Sequence, residues 1–349
     1  MTWDDDLERE LDDDLEDDVD DDLECGLDDD LDDDLERQLD HGLERRIDDG
    51  LERQLKEALA SGDDVPASLL ERLSGLQDDA LHDFHDIWER LDPDQRAELL
   101  VRLGALGETN LALDFQPVYT GALSDRDAEV RARALRLAAE EASQALLETY
   151  LRAALADPDE DVRLSALEGL GQFALAAQAD DWPGETHRQI ETALLGMYRL
   201  PDVDPVVRRA ALLSVSYLIT DAVEAEIRRA AADPELRDAA IEAMGRNCQP
   251  LWIPSIGEAL EDEDPAIREI AAAAAAELED QTTVPLLLPH LADENDAVRL
   301  ATVLALGIIG GSQAKAALSQ LLSSDSRELR DAAREALETL LDEDNPLPA

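Results

Sequence analysis

Chemistry would first be sought at the five histidines of this 349-residue chain. His82 and His85 stand three residues apart, flanked by Asp83 and Asp86. On a helix that spacing puts both imidazoles on one face, and two imidazoles with a carboxylate are a donor set for a divalent metal. A solvated polar helix face has the same composition, and in so acidic a chain that plainer reading is preferred. Asp157, Asp159, Asp161 and Glu168 match positions 1, 3, 5 and 12 of a calcium loop. The sixth position, where the turn needs glycine, is Val162, so the loop is rejected. No G-x-x-x-x-G-K-[ST], G-x-G-x-x-G or G-x-S-x-G occurs, which removes the common phosphate cradles and the nucleophile elbow. Cys25 and Cys248 lie far apart and form no C-x-x-C. The expectation is no metal, no cofactor and no enzyme.

What does recur is an arginine preceded by an aliphatic residue: Arg131, Arg163, Arg208, Arg237, Arg268, Arg299 and Arg330. Their spacings are 32, 45, 29, 31, 31 and 31 residues. Four residues before each arginine stand Asp127, Asp159, Asp204, Asp233, Asp264, Asn295 and Ser326, all good helix N-caps. Pro205, Pro234 and Pro265 follow three of them, at the first helical position that welcomes proline. Three after the arginine come Ala134, Ala166, Ala211, Ala240, Ala271, Thr302 and Ala333, small enough for neighbouring helices to approach closely. Each unit reads as helix A, a tight turn, and a helix B opened by the cap. Gly171, Gly245 and Gly307 are read as stops at the end of helix B. The 45-residue spacing places an extra loop within Ala174 to His187, carrying Trp182. Asp92-Pro93 with Arg96 is a degenerate earlier copy.

Seven copies of this pattern resemble the HEAT-repeat family, in particular its short, about 31-residue type named after phycobilisome lyases. The resemblance implies an all-α, right-handed α-solenoid of HEAT-like helix pairs with the B helices on the concave side. It also implies a ladder between successive turns, built from Asp127, Arg131, Asp159, Arg163, Asp204, Arg208, Asp233, Arg237, Asp264, Arg268, Arg299 and Arg330. Iron-binding HEAT hydroxylases rely on His-Glu pairs, and this chain has no such dipeptide.

The net charge is -55, from 85 acidic and 30 basic residues, and only Lys56 and Lys315 among the cations are lysines. Such a chain repels nucleic acid and anionic membranes, and no apolar run is long enough to span a bilayer. Its composition resembles that of proteins from salt-loving archaea and bacteria, where a diffuse layer of inorganic cations screens the surface. Without a signal-peptide pattern, a cytoplasmic location is expected. Residues 1–60 carry 28 acids and 6 bases, with an apolar residue every fourth position from Leu7 to Leu59. A four-residue step drifts around a helix, so this acidic low-complexity segment reads as an arm, disordered to helical. The division expected is arm 1–60, helical connector 61–91, solenoid 92–341 with seven clear repeats and one degenerate, and a disordered tail 342–349.

The expected role is a scaffold or adaptor that binds another cytoplasmic protein along the concave face. The alternatives are a lyase or chaperone-like factor for a cofactor or tetrapyrrole, and an acidic regulator that holds a basic partner through its arm. Positions one, five and nine after each arginine point away from the core of helix B. Most are polar or small, but one copy has Leu300, Leu304 and Ile308 and another has Leu213 and Tyr217. These five are the candidate partner-binding residues. The charge also makes a testable statement. At 1 M salt the Debye length is about 3 Å and self-repulsion is screened, so helical circular dichroism is expected to collapse below some hundreds of millimolar KCl. A full helical signal and a cooperative melt in dilute buffer would sink the halophile reading.

Overall fold

The computed structural model describes residues 49–61, 65–179 and 182–344, and every regular element among them is helical. The compact unit that holds them begins at Ile47. Helix α1 (Asp49–Ser61) and a short α2 (Ala67–Leu70) precede a series of A/B pairs. These are α3 (Asp78–Arg90) with α4 (Pro93–Thr109), α5 (Gln116–Ala122) with α6 (Ala128–Ala138), and α7 (Gln144–Ala156) with α8 (Glu160–Ala179). Next come α9 (Gly184–Tyr198) with α10 (Pro205–Val215), and α11 (Asp221–Ala231) with α12 (Arg237–Arg246). The last are α13 (Ile253–Leu260) with α14 (Pro265–Glu277), α15 (Val284–Leu287) with α16 (Asp296–Ile309), and α17 (Gly311–Leu321) with α18 (Arg327–Asp344). The result is an all-α solenoid. Successive B helices pack along one another, whereas successive A helices barely touch, so the B layer is the tight, inner one.

Local chemistry opens each B helix. Asp92 forms a capping box with Gln95 ahead of Pro93. Asp127, Asp159, Asp204, Asp264 and Asn295 accept hydrogen bonds from the first free N–H groups of their helices. Asp233 bonds the N–H of Glu235, and regular helix starts only at Arg237. All seven small residues three after the arginine are fully buried. They sit where the inner layer is closest packed.

The ladder is built differently from the expectation. The carboxylates at Asp127, Asp159, Asp204, Asp233 and Asp264 are occupied by backbone N–H groups of their own turns and form no rungs. The rungs use the aspartate two residues earlier. Arg96 pairs with Asp125 at 2.9 Å, Arg131 with Asp157 at 2.8 Å and Arg268 with Asp293 at 2.8 Å, and Arg237 pairs with Asp262. Each acceptor also takes the N–H of the following cap residue, as Asp157 does from Asp159. Two of these arginines also donate to carbonyls of their own turn: Arg131 to those of Asp125 and Arg126, and Arg268 to those of Asp262 and Glu263. In these two repeats one guanidinium ties its own A–B turn to the next one. Arg268 holds the Asp293 carboxyl down at about 2. The stability from that pair is full above the ordinary aspartate range and is lost as the pH falls through about 2.

Arg163, Arg208, Arg299 and Arg330 make no rung among the described residues. They bond carbonyls of their own turns, and Arg299 also pairs with Asp296 in its own helix. The reason is in the next turn: the rung position is an exposed Asp202 after Arg163, Ala231 after Arg208 and Ser324 after Arg299.

Three further expectations change. Gly171, Gly245 and Gly307 are not helix stops; none has a positive φ. A Cβ on Gly171 would meet Ser214 Cα at 3.3 Å, on Gly245 Ala274 Cα at 2.8 Å, and on Gly307 Ala336 Cβ at 2.8 Å. A Cβ at Gly245 or Gly307 would force the neighbouring B helix to shift, and at Gly171 the fit is tight, so these glycines serve close contact between B helices. The extra residues after Ala174 are mostly helix, lengthening α8 and α9, and Trp182 stands edge-on to Phe173 at 6.3 Å. Finally, Leu51 and Leu55 of the tetrad series are fully buried on α1, which packs against α4, and Glu52 pairs with Arg90 at 2.8 Å. The folded body therefore reaches back into the segment assigned to the arm, and at the other end α18 continues to Asp344. The rest of the arm, residues 1–48, and residues 345–349 of the tail lie outside the described residues.

Two stability tests follow from this packing. Asp125→Ala removes the acceptor of Arg96, of the Trp88 indole N–H and of the Asp127 N–H. Stranding a buried guanidinium should cost about 3 kcal/mol in denaturant unfolding; a cost under about 1 kcal/mol would mean the rung is dispensable. A chain beginning at Ser61 should melt well below one beginning at Ile47, since each of the two buried leucines contributes about 2 kcal/mol. Equal melting temperatures would put α1 outside the cooperative unit.

Candidate protein-binding surface

The inner surface is the row of side chains one, five and nine residues after the arginine on each B helix. Most of them face outward because the arginine's preceding aliphatic residue and the third and seventh residues after it turn inward; Ala97 and Ala132, at the first position after Arg96 and Arg131, are buried instead. On α16 the structure leaves Leu304 50% and Ile308 57% exposed, with Leu300 half-buried beside them. Exposed Glu269, Ala273 and Glu277 of α14 border this stripe on one side. Exposed Asp331, Glu335 and Thr339 of α18 border it on the other. The stripe is thus an apolar strip between two rows that carry carboxylates.

The second pair is placed differently. Leu213 on α10 and Tyr217 in the turn that follows it are half-buried and packed against the core. The Arg246 guanidinium sits 5.8 Å from the centre of the Tyr217 ring. It is held there by Glu242, which bonds both Arg246 and Arg209 at 2.7 Å, and Arg209 also pairs with Asp238. A cation over the ring and two carboxylates around it turn this region into a self-satisfied ionic surface. Helices α12 and α14 stand between the two patches, three helix spacings or about 25–30 Å apart in all. They do not merge into one apolar surface.

The same row contains a residue that the pattern search passed over. Val101, five after Arg96 on α4, is 40% exposed. Counting the degenerate Arg96 copy in the same register would have found it. His82 and His85 are exposed on α3. Among the described residues no group of three or more His, Cys, Asp or Glu side chains is arranged to hold an ion. No described helix is long and apolar enough to cross a membrane.

Two stretches match protein families directly. Residues 253–338, spanning α13 to α18, match HEAT repeats, and residues 146–176, within α7 and α8, match the HEAT repeat. No curated protein matches the sequence significantly. Among solved structures, the chain is similar to YibA of Escherichia coli at 17% identity, covering 80% of this chain and 97% of that one, with a TM-score of 0.41. It is similar to the CpcE–CpcF complex of phycocyanin lyase from Nostoc at 19% identity, covering 64% and 94%, with a TM-score of 0.43. Human deoxyhypusine hydroxylase is a third, at 19% identity, covering 84% and 95%, with a TM-score of 0.30. HEAT repeats are therefore present in this chain, at the α7–α8 pair and from α13 to α18.

Proposed function

We propose that the protein is a non-enzymatic scaffold that binds another cytoplasmic protein along its inner B-helix surface, centred on α16. The observation that carries this reading is the exposed pair Leu304 and Ile308. Elsewhere in the C-terminal part of the row, exposed positions are polar, charged or alanine. Two large aliphatic side chains kept in solvent on an otherwise acidic surface gain nothing for the fold. They contribute to binding once a partner removes them from water, each by about 2 kcal/mol on full burial. Leu213 and Tyr217 serve this reading less well, because they are half-buried and Arg246 already covers the ring.

The repeat architecture supports the same reading, since stacked helix pairs build a long surface and no deep catalytic cleft. The test is Leu304→Glu combined with Ile308→Glu, compared with the unaltered chain in affinity capture from the source cells at molar KCl, followed by crosslinking. The double variant should lose the captured protein while its melting temperature moves by no more than a degree or two, as surface substitutions do. Undiminished capture would move the site off α16, and a large drop in melting temperature would make these side chains part of the core.

A further inference from the structure

A second surface lies in the opposite layer. Between the A helices α3 and α5 runs a groove of about 810 Å³, within the range of ligand sites. Helix α5 has only two turns and touches α3 lightly, so the first two A helices leave a slot between them. The floor is apolar: Phe84, Trp88 and Val118 are buried there, with the two aromatic rings 6.0 Å apart. The rim carries Asp78, Asp114 and the exposed His82 and His85. No lysine or arginine lines the groove among the described residues, while Asp79, Asp83 and Asp86 add negative charge to the exposed face of α3. On the wall, the Oε1 atom of Gln116 is buried and accepts no hydrogen bond.

We propose that this groove docks a basic amphipathic helix of a partner protein. An apolar floor between two helices takes the i, i+3, i+4, i+7 stripe of a third helix. The rim asks for cations: its carboxylates, and the unused Gln116 oxygen, accept hydrogen bonds and attract positive charge. The site is separate from the α16 strip and does not depend on it.

Gly121 gives the cleanest test. It lines the groove on α5, and a Cβ there meets nothing within 4 Å. Gly121→Phe therefore starts a bulky side chain in open space at the groove wall, and replacing a helical glycine does not cost helix stability. The probe is a fluorescein-labelled helical peptide of about five turns, with leucines at i, i+3, i+4 and i+7 and lysines elsewhere. Binding to the full chain is read by anisotropy in salt at which the protein is folded. Gly121→Phe should weaken binding at least tenfold with an unchanged melt. Asp78→Asn with Asp114→Asn should weaken it several-fold and flatten its salt dependence. Glu258→Gln with Glu261→Gln removes the same charge from α13 and the turn after it and should leave binding intact. So should Leu304→Glu with Ile308→Glu, which separates this site from the one on α16. The proposal is overturned if Gly121→Phe binds normally, if a scrambled peptide of equal composition binds as well, or if the α13 pair matters as much as the rim pair.

Discussion

A buried guanidinium must find its acceptors, and the arrangement of this solenoid follows from that requirement. Arg268 as a residue is 7% exposed and meets Asp293 of the next turn through two nitrogens, at 2.8 Å each, while a third donor reaches the carbonyls of Asp262 and Glu263. A charge so enclosed is costly unless it is paired. Pairing it fixes the shape of one A–B turn and the distance to the next in a single interaction. The capped start of helix B, the arginine one turn in, and the aspartate at the head of the following turn are parts of one device, which closes a rung at Arg96, Arg131, Arg237 and Arg268 and keeps only its cap and arginine elsewhere.

Much of this device can be read in the sequence because it is periodic. The caps, the prolines at the first helical position and the buried small residues three after each arginine are local signals, and local signals survive in a linear pattern. The identity of the rung acceptor does not. Asp157 and Asp159 are both aspartates in one turn, and only geometry shows that the second is consumed by the N–H groups of Asp161 and Val162 and the first is free to face Arg131. The glycines were misleading for a related reason. Gly307 stands near the end of its helix, where glycine commonly stops helices, but its role is set by Ala336 of another helix.

The candidate surface was legible in part. Register alone places Leu304 and Ile308 outside, because their helix presents a clean stripe. Register cannot report that Arg246, a repeat away in sequence, lies over Tyr217, since a cation–π contact depends on how adjacent helices are spaced. The α3–α5 groove left no periodic trace at all. It arises from the shortness of α5, a property of one helix relative to its neighbours, and the histidines on its rim drew attention to metal chemistry instead.

The missing rungs have a mechanical meaning. Rungs stitch the first three helix pairs together through Asp125 and Asp157, and the fifth to seventh through Asp262 and Asp293. Around the fourth pair, α9 and α10, the corresponding stitches are absent on both sides, and other pairs stand in their place: Arg209 with Asp238 and Glu242 on the inner face, and Arg199 with Glu226 of α11 in the A layer. Load carried along the rungs is therefore handed to other residues at the fourth pair, where Arg199 reaches Glu226 and the Thr220 hydroxyl donates to Glu191.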